Sequence, residues 1–250
     1  MKRLFISLAI LAGISLSSCN DSFLEKTPVT DLTENNAFNS YDNFKAFMWP
    51  CYEMFTNNTI RTSLQGFGQD GQYKGDMAAG YFQQKYESGY NEFAYQTVAS
   101  VASGNGWDFK SFIRRVNIML SHIYNSSMTE AQKDHWRAVG YFFHSFWYME
   151  LIDRFGDVPW VDQVLQEDSP EAYGPRVDRK TVADKVLERL QWAEQNIGNF
   201  TSQDGDNTIN QDCVRAVISR FGLREGTWRK YHELGDAEKY LQECVRASEL

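Results

Sequence analysis

The chain of 250 residues carries 25 Lys and Arg against 33 Asp and Glu, and 42% of its residues are hydrophobic. This size and composition fit one globular domain or two small ones, and they exclude a disordered or collagen-like chain. A formal net charge of −8 without a local basic patch argues against a nucleic-acid partner. Four Cys without a C-x-x-C spacing argue against a zinc ribbon or a disulfide framework.

Residues 1–18 have the organisation of a bacterial export signal. Lys2 and Arg3 precede an apolar run, residues 4–16, that is too short to span a membrane. The segment ends in Leu-Ser-Ser-Cys19, which resembles a lipobox, where the Cys sulfur becomes modified with diacylglycerol. An ordinary secretory signal followed by an unrelated Cys is the alternative.

The lipobox interpretation divides the chain into three parts. We predict a signal peptide at residues 1–18, a lipidated tether at residues 19–35 and a helical domain at residues 36–250. Acyl chains on Cys19 would anchor the protein to a membrane surface without spanning the membrane. The remaining cysteines are predicted to be small buried side chains, and they are Cys51, Cys213 and Cys244.

The first helix is predicted from Tyr41, where apolar residues recur at three- and four-residue spacings along one face. Pro50 interrupts this pattern, and because proline removes a backbone donor, we expect a kink or break near Met48 or Trp49. The predicted face consists of Phe44, Phe47, Met48, Cys51, Met54 and Phe55.

Residues 57–106 are rich in Gly and aromatic residues and predict a long loop segment. A tyrosine has a flat apolar face and a hydroxyl, which together suit stacking on a sugar ring and hydrogen bonding to it. The alternative is that these rings fill the core beneath the loop. Four loop tyrosines are the candidate ligand contacts, and they are Tyr73, Tyr81, Tyr86 and Tyr90.

After Gly106 the apolar periodicity is helical almost throughout. The second of these helices is aromatic on nearly every side, which predicts that other helices surround it. Gly156 is the expected left-handed residue after it, and Asp178 and Asn210 are expected N-caps of later helices. The predicted helices span residues 108–125, 129–155, 178–197, 210–231 and 236–250.

The fold class that follows is mainly α. We expect an irregular helical bundle with tetratricopeptide-like helix pairs and a long aromatic and Gly-rich loop segment, without a sheet. The last helix is predicted to continue through Leu250. Its apolar side chains Tyr240, Leu241 and Val245 would then be exposed for lack of a partner.

Two features near the middle of the chain are predicted to be structural. In the turn at residues 154–159, Asp157 is expected to bond its own backbone, and Arg154 the last carbonyls of the preceding helix. Asn117 lies on an apolar helix face and is expected to be a buried amide bonded to neighbouring backbone. A functional role is the alternative for each feature.

Five stretches together resemble the SusD/RagB family of surface glycan-binding lipoproteins. Their order and spacing carry the resemblance, which covers nearly all of the chain. Phe155 stands where the family usually has Tyr, and Pro50 interrupts a helix that is usually continuous. The stretches are Cys19 with Phe23-Leu24-Glu25 and Pro28; Trp107 with Ile113 and Asn117; Arg137-Ala138, Tyr141 and Arg154-Phe155-Gly156-Asp157-Val158-Pro159; Arg176-Val177-Asp178; and residues 210–220 with Glu225-Gly226-Thr227-Trp228.

The resemblance implies a non-catalytic protein that binds oligosaccharide or polysaccharide at the cell surface. It implies an outer-membrane location through the lipid anchor, and a TonB-dependent, SusC-like transporter as the partner that receives the glycan. No cofactor or metal is expected. Family members are longer than this chain, so the domain is expected to be incomplete at its C-terminus.

Three other functions stay open. A helical-repeat scaffold on the outer membrane would bind proteins and have no ligand site of its own. A hydrolase would need two carboxylates across a cleft, for which the candidates are Glu150, Asp153 and Asp157. Calcium would use the acidic residues at 204–212, although Ile209 and Arg215 occupy the positions where an EF-hand needs Gly and Glu.

Overall fold

The computed structural model describes residues 38–55, 107–205 and 207–249, apart from the side chains of Thr201 and Ser202. The predicted signal peptide, the lipidated tether and the Gly-rich loop segment lie outside the described residues. The chain divides into two units, Met1–Ala37 and Phe38–Leu250, and every described residue belongs to the second unit.

The first helix, α1 (Tyr41–Met48), begins at Ser40, whose hydroxyl accepts a hydrogen bond from a backbone amide of the first turn. At Trp49 the chain tightens into a 3₁₀-helix, Trp49–Phe55. The break expected from Pro50 is therefore confirmed. The buried apolar residues of this segment are Tyr41, Phe44, Met48, Cys51 and Met54, whereas Phe47 and Phe55 of the predicted face are only half-buried.

Helix α2 (Phe112–His122) continues into a 3₁₀ turn, Ile123–Asn125. It begins four residues later than predicted, because the Asp108 carboxylate accepts hydrogen bonds from the backbone amides of Lys110 (2.8 Å) and Ser111 (3.1 Å). Asp side chains commonly stabilise turns in this way. The turn delays the helix and places residues 107–109 outside it.

Helix α3 (Glu130–Phe155) has 26 residues and is buried on nearly every side, as predicted. Thr129 and Gln132 form a capping box at its start, in which each side chain accepts a hydrogen bond from the backbone amide of the other residue. Gly156 ends the helix with φ of +68° and ψ of −110°, so the expected positive φ is confirmed, while the backbone lies outside the left-handed helical conformation.

Four further helices complete the described chain: α4 (Arg179–Asn196), the short α5 (Thr201–Asp204), α6 (Gln211–Tyr231) and α7 (Ala237–Ser248). The predicted bounds of α4 and α6 are confirmed to within one residue. Helix α7 ends at Ser248, so the prediction that it continues through Leu250 is wrong.

Both predicted N-caps are confirmed. Asp178 accepts a hydrogen bond from the Thr181 amide (2.9 Å), and Asn210 accepts one from the Cys213 amide (2.9 Å). Hydrogen bonds from the Thr181 side chain and then from its amide lower the pKa of the Asp178 carboxyl, because they stabilise the charged form. Local side-chain chemistry therefore sets where α4 and α6 begin.

The long helices pack on one another in chain order: α2 on α3, α3 on α4, α4 on α6, and α6 on α7. The mainly α fold class is confirmed, while the tetratricopeptide-like pairing stays a prediction. In the described ranges the β structure is an isolated antiparallel bridge between Val158 and Val177. None of the helices in these ranges has both the length and the hydropathy needed to cross a bilayer.

A buried ionic cluster joins α4, α6 and α7. Arg229 is fully buried, and its guanidinium pairs with Glu225 (Nε to Oε1, 2.7 Å) and donates to the Tyr240 hydroxyl (2.9 Å). Glu225 also pairs with Arg179 of α4 (2.6 Å), and Tyr240 donates to Asp184 (2.7 Å). Because an unpaired buried charge is costly, the cluster fixes the three helices relative to one another.

This cluster corrects one expectation about α7. Tyr240 is fully buried, so the prediction that its ring is exposed is wrong, whereas Val245 is 55% exposed as expected. Among the cysteines, Cys51 is fully buried, and burial raises the pKa of its thiol to about 12, as expected of a small buried side chain. Cys213 and Cys244 are only half-buried, so the prediction is wrong for them.

Helices α6 and α7 approach each other closely at Gly222. A Cβ atom added there would lie 2.6 Å from the Tyr240 carbonyl oxygen and 2.9 Å from the Cys244 amide nitrogen. Both atoms belong to the backbone, so relief requires a helix to shift. We predict that Gly222→Ala lowers the free energy of unfolding by about 1–3 kcal/mol, measured by urea denaturation followed by circular dichroism.

Gly174→Ala is the matched control. Gly174 has φ of −70°, and the nearest atom to an added Cβ lies 3.5 Å away, which is an ordinary van der Waals contact. Its free energy of unfolding should stay within about 0.5 kcal/mol of the parent value. Equal stability of the two variants would contradict the close approach of α6 and α7.

Candidate functional site

A cleft of about 1000 Å³ opens between the start of α2 and the irregular segment that follows α3. Its volume lies at the upper end of the range, about 300–1,000 Å³, that small-molecule sites occupy. We call its apolar lining the floor and its polar lining, all of it exposed, the rim. The floor is Trp107, Phe109, Pro159, Val161, Leu165 and Ala172; the rim is Lys110, Arg114, Gln163, Gln166, Glu167, Asp168 and Glu171.

Side chains of helix α2 bind the backbone of one wall of the cleft. The Asn117 amide is buried and donates to the carbonyl oxygens of Val161 (3.1 Å) and Gln163 (3.0 Å). Arg114 donates from Nη1 to the carbonyl oxygen of Leu165 (2.6 Å). Alternate carbonyls of an extended chain point to the same side, so two side chains of α2 bind one edge of this segment.

Helix α3 holds the same segment from the other direction. The Tyr148 hydroxyl donates to the Pro159 carbonyl oxygen (2.9 Å) and accepts a hydrogen bond from the Val161 amide (2.7 Å). His144 donates from Nε2 to the Val161 carbonyl oxygen (2.9 Å), and burial lowers the pKa of this imidazole well below its usual value. The neutral ring therefore carries its proton on Nε2.

Trp107 and Phe109 form the aromatic part of the floor. Their ring centroids lie 5.2 Å apart in an edge-to-face arrangement, and Phe155 meets the Trp107 ring in the same way at 4.9 Å. The Arg176 guanidinium lies 4.9 Å from the centroid of the Trp107 ring. Trp147 donates to the Asp108 carbonyl oxygen (2.7 Å), which ties this segment to α3.

The sequence-based site predictions meet this geometry only in part. Asn117 is buried and bonded to backbone, which confirms its predicted role. Trp107, which was singled out by the family resemblance, lies on the floor. The rim was not predicted, although a long connection between helices, here residues 156–178, is often functional. The predicted ligand contacts Tyr73, Tyr81, Tyr86 and Tyr90 and the lipidation site Cys19 lie outside the described residues.

The turn after α3 is structural, but Asp157 acts differently from the prediction. Its Oδ1 atom accepts a hydrogen bond from the Arg179 amide (2.8 Å) at the start of α4 and does not close the turn on its own backbone. The Val158 and Val177 backbones exchange hydrogen bonds (3.1 and 2.9 Å) beside it. The turn therefore ties the end of α3 to the beginning of α4.

Two of the three carboxylates considered for hydrolysis, Glu150 and Asp153, face guanidinium groups. Glu150 lies 3.9 Å from Arg224 Nη1, and Asp153 forms ion pairs with Arg224 and Arg179. Burial raises the pKa of Glu150 to about 7 in spite of the neighbouring Arg224. This raised pKa has a structural cause, the burial of a carboxyl at the junction of α3 and α6.

Asp204, one of the acidic residues considered for calcium, is engaged in packing. The Asp204 carboxylate accepts a hydrogen bond from the Tyr41 hydroxyl (2.5 Å) and lies near Lys45 (3.6 Å) and His135 (3.4 Å). Across the described residues, His, Cys, Asp and Glu form no group of three or more that would suit a metal ion. Asp204 therefore joins α5 to α1 and α3.

Comparison with known proteins identifies relatives. A family model for SusD-like proteins, described as starch-binding and associating with the outer membrane, matches residues 22–223. No curated protein matches the chain significantly.

Solved structures of SusD-like proteins share this fold. A SusD-like protein of Bacteroides fragilis has a TM-score of 0.57 at 16% identity, over 89% of this chain and 41% of its own. A SusD homologue of Bacteroides thetaiotaomicron has a TM-score of 0.60 at 16% identity, over 87% of this chain and 42% of its own. A SusD-like carbohydrate-binding protein of Bacteroides vulgatus has a TM-score of 0.56 at 17% identity, over 84% of this chain and 45% of its own. The chain thus spans less than half the length of each structure.

The raised pKa of Glu150 predicts a pH dependence of stability. An unfolded Glu ionises near pH 4.5, whereas the folded carboxyl holds its proton to about pH 7. As the pH rises through this window, Glu150 ionises in the unfolded state before it does in the folded state. The free energy of unfolding therefore falls by up to about 3 kcal/mol. We predict that Glu150→Gln removes this loss, measured as the difference in the free energy of unfolding between about pH 5 and about pH 8.

Glu130→Gln is the matched control, because the Glu130 side chain is 82% exposed. This variant should keep the parent pH dependence. An unchanged dependence in Glu150→Gln would mean that the Glu150 carboxyl is ionised throughout this range, in contact with its arginine neighbours.

Proposed function

The chain belongs to the SusD-like family, and from this premise we propose that it is a cell-surface lipoprotein that binds glycans and delivers them to a TonB-dependent, SusC-like transporter without catalysing a reaction. The observation that carries this proposal is the family match over residues 22–223, whose description combines starch binding with the outer membrane. The Bacteroides vulgatus relative, described as a carbohydrate-binding protein, supports it.

The chemistry of the cleft supports a glycan ligand. The aromatic rings of Trp107 and Phe109 offer apolar faces that suit the C–H faces of sugar rings. The amides of Gln163 and Gln166 on the rim both donate and accept hydrogen bonds, as sugar hydroxyls do. We propose that the loop tyrosines Tyr73, Tyr81, Tyr86 and Tyr90 add further stacking faces.

The lipid anchor is proposed from the sequence alone. Cys19 follows a short apolar run and small residues, the arrangement of a lipobox. Two or more acyl chains hold a protein stably at a membrane surface. Such an anchor would keep the domain at the outer membrane beside the transporter.

Exposed apolar residues on α6 and after it support contact with another protein. Trp228 is 41% exposed and Tyr231 is 81% exposed, and Leu223 and Leu234 are also about half exposed (55% and 47%). Trp and Tyr are enriched among the residues that carry the binding energy of protein interfaces. These exposed side chains suit either the transporter partner or the alternative, a scaffold without a ligand site, so a glycan-binding test distinguishes the two.

We predict that Tyr81→Ala/Tyr86→Ala weakens glycan binding by about tenfold or more, because each lost stacking face contributes about 0.5–1.5 kcal/mol. The measurement is affinity electrophoresis over a polysaccharide panel with the chain from Asn20 onward. Far-UV circular dichroism first establishes that both proteins are helical.

The matched control is Tyr124→Ala/Tyr231→Ala, which also removes two tyrosines, both strongly exposed (67% and 81%). It should bind the same polysaccharide as tightly as the parent. Full affinity of the Tyr81/Tyr86 variant would remove the loop tyrosines from the site. Absence of binding by the folded parent would favour the scaffold.

We predict that Cys19→Ser abolishes incorporation of labelled fatty acid and releases the protein from the membrane fraction, because Cys19 supplies the sulfur that is acylated. Cys51→Ser is the matched control, since Cys51 is buried in the domain, and it should leave labelling unchanged. Absence of labelling in the parent would show that the segment is an ordinary secretory signal, and labelling that persists in Cys19→Ser would show that another residue is acylated.

A further inference from the structure

The rim of the cleft has an uneven distribution of charge. Glu167, Asp168 and Glu171 lie on the segment that leads into the 3₁₀-helix Pro170–Tyr173 or within it, and all three are exposed. Two cations, Lys110 and Arg114, lie on the side formed by α2 and the turn before it. The rim therefore carries one more negative than positive charge, with the carboxylates gathered on one wall.

Two of the three cations at the cleft are committed to contacts of the fold, whereas no hydrogen bond or ion pair within the described residues engages the ammonium of Lys110. Arg114 donates to the Leu165 carbonyl oxygen at 2.6 Å, which holds the wall in place. Arg176, next to the floor, lies against the face of the Trp107 ring. An anionic ligand that recruited either guanidinium would compete with a contact that shapes the cleft.

The three carboxylates remain available to a ligand. Within the part of the chain that the structure describes, no hydrogen bond or ion pair engages the carboxylates of Glu167, Asp168 or Glu171. The bond between the Tyr173 hydroxyl and residue 167 uses the backbone carbonyl oxygen (2.8 Å) and leaves the side chain unengaged. The wall is thus fixed by its backbone, and its acidic side chains face the opening of the cleft or the solvent around it.

We propose that this cleft takes neutral glycans and discriminates against polyanionic ones such as uronates. The inference rests on the proposed function and names the class of ligand for the same site. A carboxylate only accepts hydrogen bonds, and the hydroxyls of a neutral sugar supply the donors that it needs. The carboxylate of a uronate would instead meet like charges along the acidic wall, which disfavours binding.

The charge of the whole chain acts in the same direction. Its formal net charge of −8 repels polyanions at distances beyond the cleft, and this repulsion is screened by salt over about 10 Å at 0.1 M. The local effect of the rim can be separated from this general repulsion. Removing three charges away from the cleft changes the net charge as much as removing three rim charges does, but it leaves the rim intact.

The test compares polymers that differ in charge but share a backbone. Soluble starch is paired with carboxymethyl starch, and methyl-esterified homogalacturonan with polygalacturonate. Affinities are measured at low ionic strength for the chain from Asn20 onward, after circular dichroism. We expect the parent to bind the neutral member of a pair about tenfold or more tightly than the charged member, a preference that shrinks at high salt.

The rim variant is Glu167→Gln/Asp168→Asn/Glu171→Gln, which removes three negative charges and keeps the size of each side chain. It should reduce the ratio of the affinity for the neutral polymer to that for the charged polymer by about tenfold. Each exposed charge interaction changes an affinity by about fivefold at most. The matched control is Glu233→Gln/Glu238→Gln/Glu249→Gln, three exposed acids outside the cleft lining. It changes the net charge equally and should leave most of the preference intact.

The outcomes separate this inference from the proposed function. Binding of the charged polymers as tightly as the neutral ones, or equal narrowing by the two triple variants, overturns the inference while glycan binding stands. A folded chain that binds no polymer of either pair, and none of the wider polysaccharide panel, overturns the proposed function and the inference with it.

Discussion

The burial of α3 on nearly all sides is the constraint on which the rest of the described structure depends. A helix without a solvent-facing side must be covered by other elements, and its polar side chains must find partners inside the protein. Tyr148 and His144 meet this requirement by bonding to the backbone of residues 159–161, and Ser145 by a bond to the Val186 carbonyl oxygen of α4 (3.5 Å). The polar groups of α3 therefore select the segments that cover it.

Helix α2 also has a buried polar side chain that must find a partner. The side chains of α2 and α3 bind the same segment, and the cleft forms beside it. Asn117 is buried on α2, so its amide needs acceptors, which Val161 and Gln163 supply. Val161 is thus bound by α2 through its carbonyl oxygen and by α3 through both its amide and its carbonyl oxygen. A segment without regular structure becomes a fixed wall because two helices satisfy buried polar groups on it.

The sequence predicts what local chemistry determines and fails where distant residues decide. The caps at Asp178 and Asn210, the break after Met48 and the end of α3 at Gly156 are set within a few residues, and all are confirmed. The burial of Tyr240 depends on Arg229 and on Asp184, which is 56 residues away in the chain, so no local pattern reveals it. The cleft wall depends likewise on side chains 44 to 51 residues away.

The way the wall is held has a consequence for ligand specificity. Asn117 and Arg114 bind backbone carbonyl oxygens of the segment, and backbone carbonyls are present whatever side chains the segment carries. Apart from Arg114, the exposed side chains of the rim, including Gln166 and Glu167, carry no part of this attachment. Substitutions there change the charge and hydrogen-bonding groups of the cleft at little cost in stability, because surface changes away from buried contacts usually alter stability by less than about 0.5 kcal/mol. The fold thus separates the groups that position the cleft from the groups that choose its ligand.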